Sequence, residues 1–432
     1  MTPYLQLLLL ICASQAFPLQ DLVTSFPGFP STPTFAVFSG FLNIANSKGR
    51  SLHYVFVESQ NSPETDPLLL WLNGGPGCSS MLGLFYEHGP YVFQELGDTL
   101  AANPYAWNLN ASIIYLESPA GVGFSQYGSD SNLNSDDYTT AHDNLQAILQ
   151  WFSKYPEYTE HDFYVTGESY GGVYVPMLTY TILQYNSEAV SPINLVGMAV
   201  GNGVTIFNID ATVELVYLAW SHAFMPWSLK AQIDTDCVPT NYQSAACEAD
   251  MNDLNDLLAN INRYDMYRPC LNSPSGHHYA QWLGDGLPCT DDSGLTAYLN
   301  NATVQQAFHI PSNDDELPWS VCSNNLNYSQ NSGGSLWTYP TIISSGLKIL
   351  IYSGDTDTVC PFPQTRTWIA DLDLTMLQDH TQWYLNGQVA GYYEVYDGLT
   401  FVSVKGVGHM VPQWAPAQAY QLITSFLFDK PL

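Results

Sequence analysis

Short apolar segments recur along the chain, and most of them end at a loop that contains glycine. Several are apolar at nearly every position, which is typical of parallel strands covered on both faces of a sheet. We therefore predict strands at six segments: Leu68–Leu72, Ser112–Leu116, Phe163–Thr166, Leu195–Val200, Ile349–Tyr352 and Phe401–Val404.

Apolar residues at helical spacing separate these segments. One such stripe predicts a helix that begins near Asp136, and its members are Ala141, Leu145, Ile148 and Phe152. Proline is tolerated in the first turn of a helix, so Pro416 can open a last helix. The packing side of that helix carries Ala419, Ile423, Phe426 and Leu427. Strands that alternate with helices predict a doubly wound α/β fold with a mostly parallel sheet.

Residues 204–335 interrupt this alternation. They contain five cysteines, weak strand signals and loop-rich stretches such as Asn272–Gly276. Because sheet-like segments resume afterwards, we interpret 204–335 as an insertion, or cap. The cap would interrupt one α/β core formed by residues 17–203 and 336–432.

The chain begins with a short apolar segment, Leu5–Ala13, followed by the small residues Ser14 and Ala16. This pattern predicts a signal peptide over residues 1–16, although its first residues lack Lys and Arg. The segment is too short to span a bilayer and no later stretch is long enough, so we expect no membrane insertion. The mature protein should follow the secretory pathway to a lysosome or vacuole, or be secreted.

Acidic residues dominate the charged positions. Forty Asp and Glu residues outnumber ten Lys and Arg residues, which gives a formal net charge of -30. Such a surface repels phosphate backbones and anionic lipids, so nucleic acids and membrane surfaces are excluded as partners. Only 12% of the residues are charged, and this composition suits an acidic or extracytoplasmic compartment. The sequence permits a homodimer but specifies no oligomeric state.

Seven cysteines lie beyond the predicted signal peptide, so at least one is free or pairs between chains. Neither CxxC nor HExxH occurs, and His277-His278 is an isolated pair, so no metal and no cofactor are predicted. Three Asn-x-Ser/Thr sequons, each a weak signal alone, mark candidate glycosylation sites at Asn110, Asn301 and Asn327.

A Gly-x-Ser-x-Gly motif, Gly167–Gly171, follows the predicted strand Phe163–Thr166 and precedes a helical pattern. A sharp strand-to-helix turn of this kind projects its serine from the sheet edge, and flanking glycines relieve clashes at the turn. Ser169 is therefore the candidate nucleophile of a hydrolase.

A serine nucleophile needs a base, and the base needs an orienting carboxylate. In α/β hydrolases these groups follow in the order Ser, Asp, His. Two later strands end in the required residue types, at Ser353–Asp357 and Gly406–Met410. Taken singly, Asp357 is also explained as a turn residue and His409 as a loop histidine. Their common place at strand ends, where open α/β sheets hold their sites, favours catalysis.

Four long motifs and two shorter segments together resemble one known family. The long motifs are Trp71–Ser80, Gly167–Gly171 with Tyr174–Pro176, Ser353–Asp357 and Gly408–Pro412, and the shorter segments are Ser118–Ser125 and Gly201–Gly203. In this order they look like the serine carboxypeptidase family, from about residue 26 to the C-terminus. The resemblance implies an α/β-hydrolase fold with a mainly helical, disulfide-bonded insertion. It also implies removal of C-terminal residues from peptides and proteins through an acyl-enzyme.

The resemblance assigns roles to individual residues. It makes Ser169 the nucleophile, His409 the general base and Asp357 its orienter. The oxyanion hole would be formed by the backbone N–H groups of Gly75 and Tyr170. The residues implied to bind the free α-carboxylate of the substrate are Asn73, Gly74, Glu87 and Glu168.

The resemblance also implies a disulfide pattern, which the sequence alone does not select. The implied pairs are Cys78–Cys322, Cys237–Cys247 and Cys270–Cys289. Cys360 is left over and, at its motif position, is expected to line the substrate pocket as a free thiol; a buried inert cysteine is the alternative. Met410 should contact the departing residue, and its soft apolar side chain predicts a preference for large apolar C-terminal residues.

Two other functions remain open at this point. An acyltransferase or esterase can use the same scaffold, since an alcohol can intercept an acyl-enzyme. A catalytically silent scaffold that stabilises other hydrolases is the third reading, and the complete Ser-Asp-His set speaks against it as the sole role.

Overall fold

A ten-stranded mixed sheet forms the centre of the protein. The computed structural model describes residues 18–432 except 46, 48, 95–98, 129–133, 208–209, 239–241, 272–286, 288 and 313–317. The predicted signal peptide and the pair His277-His278 lie outside the described residues. The strands are β1 Val37–Asn43, β2 Ser51–Val57, β3 Leu68–Leu72, β4 Tyr91–Phe93, β5 Leu100–Ala102, β6 Ser112–Leu116, β7 Asn134–Asp136, β8 Phe163–Glu168, β9 Leu195–Gly201, β10 Asn327–Ser329, β11 Lys348–Gly354, β12 Met376–Leu385, β13 Gln388–Tyr396 and β14 Leu399–Val404.

The order of strands in the large sheet is β1-β2-β6-β3-β8-β9-β11-β14-β13-β12. The six strands from β6 to β14 in this order are parallel, and an antiparallel pair flanks them on each side. All six predicted strands are present and form this parallel centre. The short pairs β4–β5 and β7–β10 lie outside the large sheet.

Helices pack on both faces of the sheet. They are α1 Asp137–Lys154, α2 Gly171–Glu188, α3 Asp210–Ser221, α4 Trp227–Asp236, α5 Ala245–Leu258, α6 Ser293–Leu299, α7 Ala302–Ala307, α8 Tyr339–Ser344, α9 Phe362–Asp371, α10 Val411–Trp414 and α11 Pro416–Leu427. Helices α1, α2, α8 and α9 bury their apolar residues in one core, and α6, α7 and α11 contribute to the other. The sheet is thus covered on both faces, as continuously apolar strands require.

Helix α1 shows how local sequence sets an element. The carboxylate of Asp136 accepts a hydrogen bond from the Thr139 backbone N–H at 2.7 Å and caps the helix. The predicted stripe Ala141, Leu145, Ile148 and Phe152 is buried against the sheet. Capping and amphipathic spacing therefore define this helix, and Phe152 packs on Phe163 at the start of β8, with ring centroids 5.6 Å apart.

The segment 204–335 is mainly helical where it is described, and it adds no described strand to the large sheet. Helices α3, α4 and α5 enclose a small apolar core of their own, which contains the Cys237–Cys247 disulfide. A second disulfide, Cys270–Cys289, lies within the same segment. The third, Cys78–Cys322, joins the segment to the loop after β3.

None of the helices in the described part of the chain is both long enough and apolar enough to cross a membrane.

Candidate active site

Ser169 lies at the turn between β8 and α2, with a positive φ of 64°. Three backbone hydrogen bonds hold this strained residue: Ser169 N donates to Gly201 O at 3.1 Å, and Gly172 N and Val204 N each donate to Ser169 O at 2.9 Å. The neighbouring glycines are required by close packing, since a Cβ at Gly172 would overlap the carbonyl of Val204. The strand-to-helix elbow predicted from the motif is therefore present, and it fixes the direction of the serine.

Asp357 follows β11 and is fully buried. Its Oδ2 accepts from His409 Nδ1 at 2.7 Å and from Asn202 Nδ2 at 2.9 Å. Its Oδ1 accepts from the backbone N–H of Val359 at 2.7 Å. Asp355, two residues earlier, instead accepts from the Gly406 backbone N–H at 2.6 Å. The two aspartates thus have different partners, and only Asp357 contacts the histidine.

His409 is buried beside Asp357, in the loop after β14. Its backbone N–H donates to the carbonyl of Tyr264 at 2.7 Å, and its ring lies 5.2 Å from the Tyr264 ring. Tyr264 belongs to the segment 204–335, so that segment helps to hold the histidine. Ser169 and His409 line the same cavity, which has a volume of about 420 Å³.

The loop that carries Gly75 runs directly against the elbow. A Cβ on Gly74 would lie 2.7 Å from the Cβ of Ser169 and would overlap the backbone nitrogen of Tyr170. Gly75 itself has a φ of 112°, a conformation that favours glycine. Only a glycine pair lets this loop approach the nucleophile so closely.

Two buried glutamic acids meet in the wall of the same cavity. Asn73 Nδ2 donates to Glu87 Oε1 at 2.9 Å, and the side chains of Glu87 and Glu168 are close enough to influence each other's pKa. The Oε2 atoms of both glutamic acids have no hydrogen-bond partner among the described residues.

Burial raises the pKa of both glutamic acids. For Glu87 it raises the pKa from 4.5 to about 7, against the opposing effects of hydrogen bonds and of His409. For Glu168 burial raises the pKa well above 4.5, and the charges of Glu87 and Asp357 raise it further. The cavity therefore contains a protonated acidic pair at mildly acidic pH.

Asn73 is held in one orientation by its neighbours. Its Oδ1 accepts from Trp71 Nε1 at 2.7 Å and from the Gly83 backbone N–H at 3.0 Å. These two donors leave the Nδ2 group to face Glu87. Glu87 lies at the end of a π-helical turn, Gly83–Glu87, that follows the same loop.

The remaining cavity wall is largely apolar on one side. Leu82, Tyr86, Tyr264, Leu287 and Met410 contribute to it, and no Lys or Arg lines the cavity within the described ranges.

Among the described residues, Cys360 is the free cysteine. It is buried and interacts with the Ser169 side chain, and it is not part of the cavity wall. Burial raises the pKa of the Cys360 thiol, and the charges of Asp357 and Glu168 raise it further.

The three disulfide bonds of the structure join the same cysteines that the family resemblance implies.

The three asparagines of the Asn-x-Ser/Thr sequons differ in their surroundings. Asn301 and Asn327 are exposed, whereas the Asn110 side chain accepts a hydrogen bond from the Tyr420 hydroxyl. Asn327 also lies at the edge of the cavity that holds Ser169.

Sequence reasoning gave no role to Trp71 or Asn202, although both lie in the quoted motifs. Asn202 has a positive φ of 43° at the end of β9, a conformation in which asparagine is enriched. Its position between two glycines is the feature of the sequence that could have indicated an unusual backbone conformation. Its contact with Asp357 becomes apparent only when β9 and β11 are placed side by side.

The fold and the serine on a strand-to-helix elbow define an α/β hydrolase. The model of the serine carboxypeptidase family matches residues 27–429. The chain belongs to this family and is a serine-type carboxypeptidase.

Individual relatives match over the whole chain. The chain is 36% identical to the lysosomal protective protein of Mus musculus, and the alignment covers 100% of this chain and 99% of the relative. It is 38% identical to serine carboxypeptidase 24 of Arabidopsis thaliana, with 100% and 98% covered. A prohormone-processing carboxypeptidase from Saccharomyces cerevisiae has the same fold, with a TM-score of 0.80, 20% identity and 96% of both chains covered.

Proposed function

We propose that Ser169, His409 and Asp357 form the catalytic triad of this carboxypeptidase. Because Asp357 binds His409 at Nδ1, Nε2 is the nitrogen left to exchange a proton with Ser169. The Ser169 oxygen attacks the scissile carbonyl carbon while His409 takes the serine proton. His409 then gives that proton to the departing amino group. In the second half of the reaction His409 takes a proton from water, the water oxygen attacks the acyl-enzyme, and His409 returns the proton to the Ser169 oxygen.

The backbone N–H groups of Gly75 and Tyr170 are the proposed oxyanion hole. The tight approach of Gly74 to Ser169 and Tyr170 supports this assignment, because it brings both peptide segments to the nucleophile. Removal of one such donor typically costs about 3–4 kcal/mol of transition-state stabilisation.

One observation carries the exopeptidase function: Asn73, Gly74, Glu87 and Glu168 line the same cavity as Ser169. These residues are the proposed site for the free α-carboxylate of the substrate. The unpaired Oε2 atoms of the two glutamic acids leave hydrogen-bonding capacity for a ligand. An ionised α-carboxylate accepts hydrogen bonds from protonated carboxyl groups, since its own pKa is lower.

The buried pair Glu87 and Glu168 also supports activity at acidic pH. Where the glutamic acids are ionised, they and the α-carboxylate repel one another in a cavity without a described Lys or Arg. An acidic working pH agrees with a secretory route that ends in a lysosome or vacuole, and the lysosomal relative supports this location. Exposed Asn301 and Asn327 are then the favoured glycosylation sites.

The preferred substrates are proposed to end in large apolar residues. Leu82, Tyr86, Leu287 and Met410 offer apolar contacts in the cavity, and no described Lys or Arg there could neutralise an acidic C-terminal residue. Side chains of Leu or Phe gain free energy from such a surface, whereas a charged side chain would lose its hydration.

The direct test combines labelling with peptide hydrolysis. The mature protein should react with a fluorophosphonate probe at Ser169, and Ser169→Ala should abolish both labelling and release of C-terminal Leu from a blocked peptide at pH 5. A matched peptide amide should be a poorer substrate, because it lacks the α-carboxylate. Faster acyl transfer from a glucose ester than peptide hydrolysis would favour the acyltransferase alternative, and an unlabelled Ser169 would overturn the proposed mechanism.

A further inference from the structure

A second buried polar cluster lies outside the catalytic site and is centred on Glu117. Glu117 follows β6 and is fully buried. Four donors contact its carboxylate. Oε1 accepts from the Ser79 hydroxyl and from Trp319 Nε1, the latter at 2.9 Å. Oε2 accepts from the Phe124 backbone N–H at 2.8 Å and from His53 Nδ1 at 2.9 Å.

His53 connects this carboxylate to Ser39 through its two ring nitrogens. The Ser39 hydroxyl donates its single proton to the carbonyl of Phe308 at 2.6 Å. Its oxygen therefore accepts from His53 Nε2, at 2.9 Å, so that both ring nitrogens of His53 carry a proton when Glu117 is ionised. His53 and Glu117 thus form a buried hydrogen-bonded pair, with 1% and 0% of their side chains exposed.

Ser39, His53 and Glu117 have the residue types of a catalytic triad, but their arrangement excludes that role. All three are buried away from the cavity that contains Ser169. Ser39 Oγ points its proton at a carbonyl oxygen, so His53 has no serine proton to remove. The role of this cluster must therefore be to position the segments of the chain that are hydrogen-bonded to it.

The donors to Glu117 come from separate parts of the fold. Ser79 belongs to the loop that carries Gly74 and Gly75, Trp319 to the segment 204–335, and Phe124 to the loop after β6. A Cβ on Gly123 would overlap the Glu117 carboxylate. The loop of Gly123 thus wraps the carboxylate closely, and its glycine is needed for that approach.

The loop that carries Gly75 is held on two sides. On one side Ser79 N donates to Val321 O at 2.8 Å, Ser323 N donates to Gly77 O at 2.8 Å, and the Cys78–Cys322 disulfide joins the same segments. On the other side the Ser79 hydroxyl is bound by Glu117. A loop held in this way keeps its backbone donors at fixed positions, which an oxyanion hole requires.

We propose that Glu117, acting through Ser79, is a positioning residue for the oxyanion loop of this enzyme. The inference rests on the proposed role of Gly75 as an oxyanion donor. The bonds from His53, Trp319 and Phe124 hold the Glu117 carboxylate in place, and the bond to Ser79 transmits this fixed position to the loop. Loss of this bond would misplace the Gly75 donor in the transition state and leave the ground-state cavity nearly unchanged.

Two variants and one matched control test this proposal. Ser79→Ala removes the link to the loop, and Glu117→Gln changes its anchor without touching the bond from Met81 N to Ser79 Oγ. Both variants should have a kcat about tenfold lower than that of the wild-type enzyme, with rates normalised to the concentration of titrated active sites. Their KM values should stay within about twofold of the wild-type value. Ser59→Ala is the control: Ser59 is buried, its hydroxyl donates to Asp66 and accepts from the Asn61 backbone N–H, and it belongs neither to the cluster nor to the cavity wall, so kcat should stay near the wild-type value.

Binding of a peptide aldehyde, which forms a tetrahedral adduct with serine, gives a second readout. Its affinity should fall in parallel with kcat in Ser79→Ala and Glu117→Gln, because the adduct needs the oxyanion hole. Wild-type kcat in these two variants, or an equal loss in Ser59→Ala, would overturn the proposal while leaving the triad assignment intact. An inactive wild-type enzyme would instead overturn the proposed function on which this inference rests.

Discussion

Asn202 donates a hydrogen bond from Nδ2 to Oδ2 of Asp357 over 2.9 Å. The Oδ1 atom of Asn202 accepts from the backbone N–H of Gly354 at 3.0 Å, so its amide bridges the ends of β9 and β11. These strands are parallel neighbours. The carboxylate that orients His409 is therefore itself oriented by the adjacent strand.

Removal of this bridge should impair catalysis more than binding. We expect Asn202→Gly, which tolerates the positive φ, to lower kcat about tenfold with little change in KM, because Asp357 loses a donor that fixes its direction. Steady-state kinetics with a blocked dipeptide measure both parameters. Asn186→Ala is a suitable control, since Asn186 makes two similar bonds to Ile193 at the far end of α2. Equal losses in the two variants would contradict a specific role for Asn202.

The parallel centre of the sheet could be predicted because its strands are buried on both faces and are therefore continuously apolar. The flanking strands β1, β2, β12 and β13 were not predicted. Strand β12, for example, is an edge strand with mostly exposed residues, so its sequence carries polar and apolar side chains without a clear period. Edge strands are specified by their partner strand, which a local pattern does not reveal.

Some residues of the candidate site could likewise be predicted from local sequence, and others could not. Ser169, Asp357 and His409 each follow a predicted strand, so their order and local context indicated a common site. The bond of Glu87 to Asn73 depends on a π-helical turn that folds back onto the first motif, and sequence reasoning without the family resemblance gives Glu87 an ordinary helix surface. Contacts between distant segments, such as Glu117 with Trp319, require the fold itself.

Met410 offers a direct test of the proposed substrate preference. It lines the cavity and follows His409, with only 5% of its surface exposed. Met410→Glu should lower kcat/KM for peptides ending in Leu or Phe at least about tenfold, since it places a charge on an apolar wall. The same variant should improve release of C-terminal Lys or Arg. Met410→Leu serves as the control and should keep the wild-type order of substrates; faster release of Arg than of Leu by the wild-type enzyme would contradict the preference.

Cys360 should make the enzyme sensitive to organomercurials. Its thiol interacts with the Ser169 side chain, so a mercury atom on sulfur would occupy space next to the nucleophile. Because this thiol is buried, lies outside the cavity wall and has a raised pKa, we expect a small organomercurial such as methylmercury to inhibit the wild-type enzyme slowly. Cys360→Ser should lose this sensitivity, with kcat reduced less than about tenfold. Inhibition that persists in Cys360→Ser would show that another thiol reacts, and one of the three disulfides would then be open in solution.

The acidic pair predicts how substrate binding depends on pH. Burial raises the pKa of Glu87 to about 7 and that of Glu168 well above its usual range, so both are protonated near pH 5. They can then donate hydrogen bonds to the ionised α-carboxylate of a peptide. As pH rises, the pair ionises and repels that carboxylate, so binding weakens. We expect KM for a free-acid peptide to rise at least about tenfold from pH 5 to 8, or roughly 1.4 kcal/mol.

Three comparisons separate this effect from other titrations. KM for the matched peptide amide should change little, because the amide brings no negative charge to the pair. Glu87→Gln and Glu168→Gln should flatten the profile for the acid, since glutamine donates at every pH. Glu58→Gln is the control: burial also raises the pKa of Glu58 to about 7, but Glu58 binds Ala36 N and Tyr158 and does not line the cavity. KM is the informative parameter, because it reports substrate binding and excludes the proton transfers that affect kcat. Identical pH profiles for acid and amide would exclude carboxylate recognition by the protonated pair.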